Sequence, residues 1–167
     1  MDICDIFNRY SSDIPVTSYL QIYHVLFNHR REREINILEI GIKSSETLRA
    51  WNDYFPQSHV IGINIIDPSE CNKVSEFVKE HGSFDLIIDN YGNSNDVDTL
   101  KTLRYFYPHL NSGGIYIIEG IPQDSTFIKH PALIGCGCNH DPYFFVGLKN
   151  SQCVINKSHI NSQRLYY

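Results

Sequence analysis

Residues 35–42 read INILEIGI, and this apolar, β-branched run decides the fold. Runs of this kind fill the buried strands of parallel sheets, whose two faces are both covered by helices. A helix is predicted next, because Ser44 or Ser45 can cap its start. Glu46 is favourable in its first turn, and Pro56 closes it. The segment therefore predicts a strand, a turn and a helix, in that order.

The alternation of strands and helices continues along the chain. Further strands are predicted at residues 59–66, 84–89 and 115–119. The helices between them are predicted over 68–80 and 97–107, and residues 111–114 (NSGG) are expected to end the second helix. Strands and helices at these spacings indicate a parallel sheet with right-handed crossovers. The predicted fold class is α/β, a Rossmann-like three-layer sandwich with a mainly parallel sheet.

The two ends of the chain depart from this rhythm. Residues 16–27 (VTSYLQIYHVLF) predict an N-terminal helix, and the charged run 29–34 (HRRERE) is interpreted as a solvated connector after it. Near the other end, residues 143–148 and 152–156 predict a closing β-hairpin. Residues 121–141, between the last parallel strand and this hairpin, have no clear periodicity.

Length and composition predict one core and a reducing compartment. A chain of 167 residues is about one domain, for which we expect a helical lead-in over 1–34 and one compact unit over 35–167. The five cysteines, an odd number, argue against a disulfide framework, so a cytoplasmic location is expected. The acidic start, without a long apolar run, predicts neither a signal peptide nor a membrane span. The net charge of −5 argues against nucleic acid as a partner.

Polar side chains stand at the end of every predicted parallel strand. They are Glu39, Asn64 with Asp67 downstream, Asp89 and Glu119. In sheets of this kind ligands bind outside the carboxyl ends of the strands. Each of these groups can instead cap a following helix, but carboxylates are seldom buried without a partner. Taken together, the four strand ends favour a polar cleft.

Two other kinds of site are disfavoured by their spacing. The turn GIKSS, residues 41–45, holds one glycine, whereas a dinucleotide fingerprint has three, which argues against a nicotinamide-dependent oxidoreductase. Cys136, Cys138 and His140 lie close together but lack the second half of a zinc spacing. We interpret these cysteines as structural or incidental.

Several longer stretches resemble one enzyme family. ILEIGIKSSETLRAWNDYFPQSHVIGINI, FDLIIDN and DVDTLKTLRYFYPHLNSGGIYIIEG resemble class I S-adenosylmethionine-dependent methyltransferases. More narrowly, the chain is similar to the metal-dependent O-methyltransferases of macrolides and other sugars, and to their cephalosporin-hydroxylase-like relatives. The resemblance runs from about Ser12 to about Ile118. It implies a methyltransferase-like domain that has lost an edge strand between residues 66 and 84, together with the loop that helps to hold adenine.

The resemblance implies a cofactor site built from the strand ends. Its predicted members are Glu39, Gly41, Ser45, Asn64 and Asp89. Glu39 and Gly41 match the E-x-G of the family's cofactor loop, whereas Lys43 and Ser45 stand where later glycines would be. Asn64 replaces the acidic residue that holds the ribose hydroxyls; an amide accepts one hydrogen bond and donates another, but lacks the charge.

The resemblance also implies a metal site at the ends of the third and fourth parallel strands. Family members read IDDGSH and IED there, which supply carboxylates for a magnesium-like ion and a histidine base. This chain retains Asp89 and Glu119, but has Asn90, Asn93 and Gly120 in the other positions. The predicted metal ligands are therefore Asp89, Asn90 and Glu119. Because magnesium prefers carboxylate oxygens, these changes weaken the site.

The predicted function is methyl transfer from S-adenosylmethionine to a sugar or glycan hydroxyl, with the cofactor and metal sites weakened. Asp89, Glu119 and His140 are the predicted catalytic residues, and Asp141 is a further candidate base. The alternative is a catalytically inactive methyltransferase-fold protein that serves as a binding or assembly module. Expected partners are a small-molecule or glycan substrate, with either a second copy or a homologous subunit, and neither nucleic acid nor membrane.

Overall fold

The computed structural model describes residues 2–10, 19–42, 44–64, 71–90, 96–121, 143–148 and 151–152. The helices are α1 (Ile3–Arg9), α2 (Tyr19–Phe27), α3 (Ser45–Tyr54), α4 (Cys71–His81) and α5 (Asp96–Phe106). The strands are β1 (Asn36–Ile40), β2 (His59–Ile63), β3 (Phe84–Asp89), β4 (Leu110–Ile121), β5 (Tyr143–Leu148) and β6 (Ser151–Gln152). Among these residues, no helix is long and apolar enough to cross a membrane.

The strands form one mixed sheet in the order β2-β1-β3-β4-β5-β6. The pairs β1–β2, β1–β3 and β3–β4 are parallel, whereas β5 runs antiparallel to β4 and β6 antiparallel to β5. This arrangement confirms the α/β class, the mainly parallel sheet and the closing hairpin. Residues 153–156 of the predicted second hairpin strand lie outside the described residues.

One side of the sheet ends at β2. In the described part of the chain, β2 pairs only with β1, and α4 is the element between β2 and β3. This is the arrangement expected of a sheet that lacks the family's edge strand. Residues 65 and 66 of the predicted second strand lie outside the described part.

Helices cover both faces of the sheet, and alternate residues of each strand serve one face or the other. On the first face, α1, α2 and α3 pack Phe7, Tyr23 and Trp51 against alternate strand residues. Those strand residues are Ile37, Leu86, Ile88, Ile115 and Ile117. On the second face, α4 and α5 pack against Leu38, Ile40, Ile87, Tyr116 and Ile118. The sheet thus separates two hydrophobic clusters.

The charged run 29–34 is more than a solvated connector, so that prediction is wrong for two of its arginines. The half-buried Arg30 donates from Nη2 to the carbonyl oxygen of Gly113 at 2.8 Å. Arg31 donates from Nε to the carbonyl oxygen of Tyr54 at 3.1 Å, and its guanidinium lies 5.1 Å from the centre of the Tyr54 ring. These contacts attach the segment after α2 to β4 and α3.

The prediction that residues 111–114 end the last helix is also wrong. Helix α5 ends at Phe106, a 3-10 turn follows over Tyr107–His109, and residues 111–114 lie inside β4. Pro108 explains the early end, because proline has no N–H to donate and its ring clashes with the preceding turn. Gly113 lies within β4 and has a φ of 74°, which is in the left-handed region that favours glycine.

Candidate functional site

The first strand ends in a tight turn at Gly41. Its φ of 77° lies in the left-handed region, where glycine is not strained, and its N–H donates to the carbonyl oxygen of Ile63 at 2.9 Å. The turn lies close against β2, because a Cβ on Gly62 would collide with the Ile42 side chain and lie 2.9 Å from Leu48 Cδ1. The predicted E-x-G loop therefore folds as a compact turn between β1 and β2.

Glu39 lies in β1, two residues before Gly41, and is 1% exposed. The side-chain amide of Asn90 donates from Nδ2 to Glu39 Oε1 at 3.0 Å, whereas Oε2 is buried and has no hydrogen-bond partner among the residues that the structure describes. Burial raises the pKa of Glu39 to about 7, against the opposing effects of Asn90 and of the nearby Thr47 hydroxyl. The Thr47 hydroxyl itself donates to the Ser44 carbonyl oxygen at 2.9 Å.

The other predicted cofactor residues lie around this turn. Ser44 is the N-cap residue of α3, but its hydroxyl makes no capping hydrogen bond, and Ser45 is the exposed first residue of the helix. Asn64 is exposed directly after β2. Lys43 and Asp67 lie outside the described residues. The ends of β1 and β2 thus bring Glu39, Gly41 and Asn64 to one edge of the sheet.

Asp89 ends β3 and is completely buried. The hydroxyl of Tyr116 donates to Asp89 Oδ2 at 2.8 Å. Burial, followed by the charge of Asp89 and by this hydrogen bond, raises the pKa of Tyr116 well above its usual value, so the phenol remains a donor. Tyr116 was not among the predicted site residues; the signal for it is a hydroxyl within the apolar run IYII, which needs a buried partner.

Glu119 lies near the end of β4 and is 9% exposed. The hydroxyl of Tyr23, on α2, donates to its Oε1. Burial raises the pKa of Glu119 to about 8. Tyr23 is a second residue that the sequence did not single out, because a tyrosine at helical spacing is equally typical of a core position. Helix α2 therefore contacts the candidate site directly.

Asp89 and Glu119 lie on opposite faces of the sheet. Asp89 pairs in register with Ile118, so Glu119 is one residue further along β4 and points away from it. Asp89 contacts Tyr116 on the face of α4 and α5, whereas Glu119 contacts Tyr23 on the face of α1 to α3. Asn90, the third predicted metal ligand, is turned toward Glu39.

No group of three His, Cys, Asp or Glu side chains that could hold a metal occurs within the described part of the chain. Gly120, where the family has an acid, has φ of 73° at an irregularity in the β4–β5 pairing. Asn93, Cys136, Cys138, His140 and Asp141 lie outside the described residues, so their predicted roles remain predictions.

No protein-family model matches the chain. It is 34% identical over 111 residues to an L-olivosyl-oleandolide 3-O-methyltransferase of Streptomyces antibioticus, covering 53% of this chain and 28% of that protein. It is 28% identical over 115 residues to a mycinamicin VI 2''-O-methyltransferase of Micromonospora griseorubida, covering 56% of this chain and 29% of that protein. The chain therefore spans less than a third of the length of these two relatives.

A solved structure resembles the fold. It is MycE, a methyltransferase from the mycinamycin biosynthetic pathway in complex with Mg and SAH, with a TM-score of 0.64 and 22% sequence identity. The match covers 72% of this chain and 37% of that one. The two sequence relatives and the solved structure agree with the resemblance of the motifs to methyltransferases. The chain has the class I methyltransferase fold and is related in sequence to these two O-methyltransferases.

Proposed function

We propose that this chain is an S-adenosylmethionine-dependent O-methyltransferase whose acceptor is a sugar or glycan hydroxyl. The observation that carries the proposal is the turn after β1, where the buried Glu39 is followed by Gly41 at a φ of 77°. This is the E-x-G position of the family, and it is folded as a glycine-dependent turn at the carboxyl edge of the sheet. The relatives with sugar O-methyltransferase names give the acceptor class.

The residues around the turn fit a cofactor with amino and hydroxyl groups. Glu39 Oε2 is a buried acceptor to which no side chain or backbone group of the described residues donates, and a ligand N–H would satisfy it. Asn64 is exposed at the end of β2, where its amide can bind a ribose hydroxyl. We assign cofactor binding to Glu39, Gly41 and Asn64, with Ser45 beside them. Asp89, which was also predicted as a cofactor residue, is buried, and we assign it a supporting role through its hydrogen bond with Tyr116.

The chain has two tasks in methyl transfer, which are to place the acceptor hydroxyl in line and to accept its proton. S-adenosylmethionine supplies a methyl group on a positively charged sulfur; the acceptor oxygen bonds to that carbon as the carbon–sulfur bond breaks and its electron pair stays on sulfur. We assign the proton to Glu119, which lies near the end of β4 and whose ionised form, with a pKa raised to about 8 by burial, is a stronger base than an ordinary carboxylate. Tyr23 holds one of its oxygens.

Magnesium is the metal in the solved neighbours and supports the prediction of this ion. The described residues alone do not fit it, because Asp89 and Glu119 lie on opposite faces and each accepts a hydrogen bond from a tyrosine. A complete ligand set needs side chains from outside the described part. Glu119 and Tyr23 therefore carry the proposed proton transfer.

Calorimetry with S-adenosylhomocysteine tests the proposed cofactor site. Gly41→Ala and Gly82→Ala form a matched pair, because both glycines have left-handed φ values, 77° and 81°. Each substitution is expected to cost about 1 kcal/mol of folding stability. We expect the wild type to bind, Gly41→Ala to bind at least about tenfold more weakly, and Gly82→Ala to bind within about twofold of the wild type. No heat from the wild type at millimolar ligand contradicts the proposal.

A non-catalytic binding or assembly module is the second candidate. Asn64, Asn90 and Gly120, which stand where the family has acidic residues, favour it. The two candidates differ in turnover, measured as S-adenosylhomocysteine release with a panel of glycosides. An active enzyme releases it and loses kcat in Glu119→Gln with unchanged cofactor affinity. A module that binds the cofactor and turns over no glycoside supports the second candidate.

The remaining expectations about the chain's setting are proposals of the same kind. We propose a helical lead-in over residues 1–34 ahead of the methyltransferase-like unit at 35–167. We also propose a cytoplasmic protein, without nucleic-acid or membrane partners, in keeping with the net charge of −5. A second copy or a homologous subunit is the proposed protein partner.

A further inference from the structure

Asn90 is bound to the cofactor loop rather than turned toward a metal. It is the first residue after β3, and its Nδ2 donates to Glu39 Oε1 at 3.0 Å. A carboxylate carries only acceptors, so the residue facing it must present a donor. The acidic residue that the family has at this position would instead bring two carboxylates into contact. The amide of Asn90 is therefore matched to Glu39.

The second oxygen of Glu39 has no partner in the described part of the chain. Oε2 is buried, and Glu39 is 1% exposed. The nearby Thr47 hydroxyl uses its proton on the Ser44 carbonyl oxygen. Leaving a buried acceptor without a donor is destabilising, and nearly all buried polar atoms in native proteins have a partner. A bound ligand with an N–H or ammonium group would provide one.

The two residues meet at the edge where the proposed cofactor binds. Ile40 and Asp89 are register partners on adjacent parallel strands, so Gly41 and Asn90 directly follow a paired position. The Asn90 side chain thus spans from the end of β3 to the base of the Gly41 turn. It fixes one oxygen of a carboxylate whose other oxygen has no partner in the described ranges.

We propose that Asn90 is a positioning residue of the cofactor site, which holds Glu39 Oε1 so that Oε2 accepts a hydrogen bond from the bound ligand. The proposal rests on the proposed function, because the ligand is the methyl donor or its product. Asn90 acts through Glu39 and need not touch the ligand itself. The position that the family uses for a metal ligand thereby serves the cofactor in this chain.

The test compares two asparagine–carboxylate hydrogen bonds at opposite edges of the sheet. Asn111 Nδ2 donates to Asp85 Oδ1 at 2.9 Å, near the amino ends of β3 and β4, and provides the matched control. The variants are Asn90→Ala, Asn90→Asp and Asn111→Asp. For each we would measure the affinity for S-adenosylhomocysteine by calorimetry and the stability by urea unfolding.

We expect Asn90→Ala to bind S-adenosylhomocysteine about tenfold more weakly than the wild type, and Asn90→Asp more weakly still, because it adds a repelling carboxylate. Asn111→Asp should lose stability but bind within about twofold of the wild type. Asn90→Ala keeps the test decisive if Asn90→Asp does not fold. Wild-type affinity in both Asn90 variants overturns this proposal alone, whereas a wild type that does not bind overturns the proposed function with it.

Discussion

The two faces of the sheet arrange their aromatic rings differently. On the face of α1 to α3, Trp51 is surrounded by rings, with the centroid of Phe7 at 4.7 Å and that of Tyr23 at 5.2 Å. On the face of α4 and α5, the buried rings of Phe84 and Tyr116 lie among Leu, Ile and Val side chains, and partly exposed side chains such as Phe77 edge the cluster. The face of α1 to α3 also holds two buried carboxyls, those of Glu39 and Glu119, and the face of α4 and α5 holds Asp89.

The alternation of side chains along the strands places the acidic residues on different faces of the sheet. Asp89 and Glu119 both lie at strand ends, and their sequence position suggests one site. Because side chains alternate between faces, a register difference of one residue sends them to opposite sides. Each is then held by a tyrosine from its own face. The face of α1 to α3 therefore carries both Glu39 and Glu119, whereas Asp89 lies on the other face.

The largest effect that tests this comparison is the pH dependence of stability. Burial raises the pKa of Glu39 to about 7 and of Glu119 to about 8, from 4.5. The folded state binds these protons more tightly, so stability is fully present below the unfolded pKa and is lost as the pH rises through the folded values. We expect the unfolding free energy to fall by on the order of 5 kcal/mol between about pH 5 and pH 8.

Urea unfolding across this range checks the prediction. Glu119→Gln and Glu39→Gln should each flatten part of the slope, because each removes one titrating carboxyl from the face of α1 to α3. A stability that is constant or rises from pH 5 to pH 8 would show that the two carboxyls are not buried as described.

The next effect is the loss of ring packing. Trp51→Ala should cost roughly 4 kcal/mol, because the ring is fully buried and a cavity remains. Phe77→Ala, on the other face, should cost about half as much, because that ring is only partly buried. Val97→Ala is the control, since Val97 is 61% exposed, and should stay within about 0.5 kcal/mol. Equal costs for Trp51 and Phe77 would remove the distinction between the faces.

The smallest effect concerns the tyrosine that holds Asp89. Tyr116→Phe should cost about 2 kcal/mol, because it removes a hydrogen-bond donor from a buried carboxyl. Tyr10→Phe makes the same chemical change on the surface, where the hydroxyl donates to Asp53 Oδ2 at 2.8 Å, and should cost under about 0.5 kcal/mol. Thermal unfolding of both variants compares them; similar costs would contradict the burial of the Tyr116–Asp89 pair.

Periodicity in the sequence was sufficient for most of the fold. The strand predicted at residues 84–89 has the bounds of β3, and α3 and α5 lie where the apolar spacing placed them. Helix α1 was missed, although Ile3, Ile6 and Phe7 have helical spacing, because seven residues give too short a pattern to stand out. The NSGG segment was misread because glycines end helices more often than they enter strands.

The site was predicted only in outline. Strand ends can be read from sequence, so Glu39, Gly41, Asn64, Asp89 and Glu119 could be named as candidates. Their partners could not be, because Tyr23 lies 96 residues and Tyr116 27 residues from the carboxyl that each contacts. Asn90 was interpreted as an altered metal ligand for the same reason. Its contact with Glu39 depends on how β1 and β3 pair, which composition and spacing do not determine.

The central claim is that the cofactor binds at the carboxyl edge formed by β1, β2 and β3. A backbone-amide NMR titration with S-adenosylhomocysteine tests it most directly. The claim predicts that the signals of Gly41, Asn64 and Asn90 shift most, and that those of Asp85 and Asn111, at the opposite edge, stay in place. Largest shifts at Asp85 and Asn111, or no shifts at millimolar ligand, would contradict it.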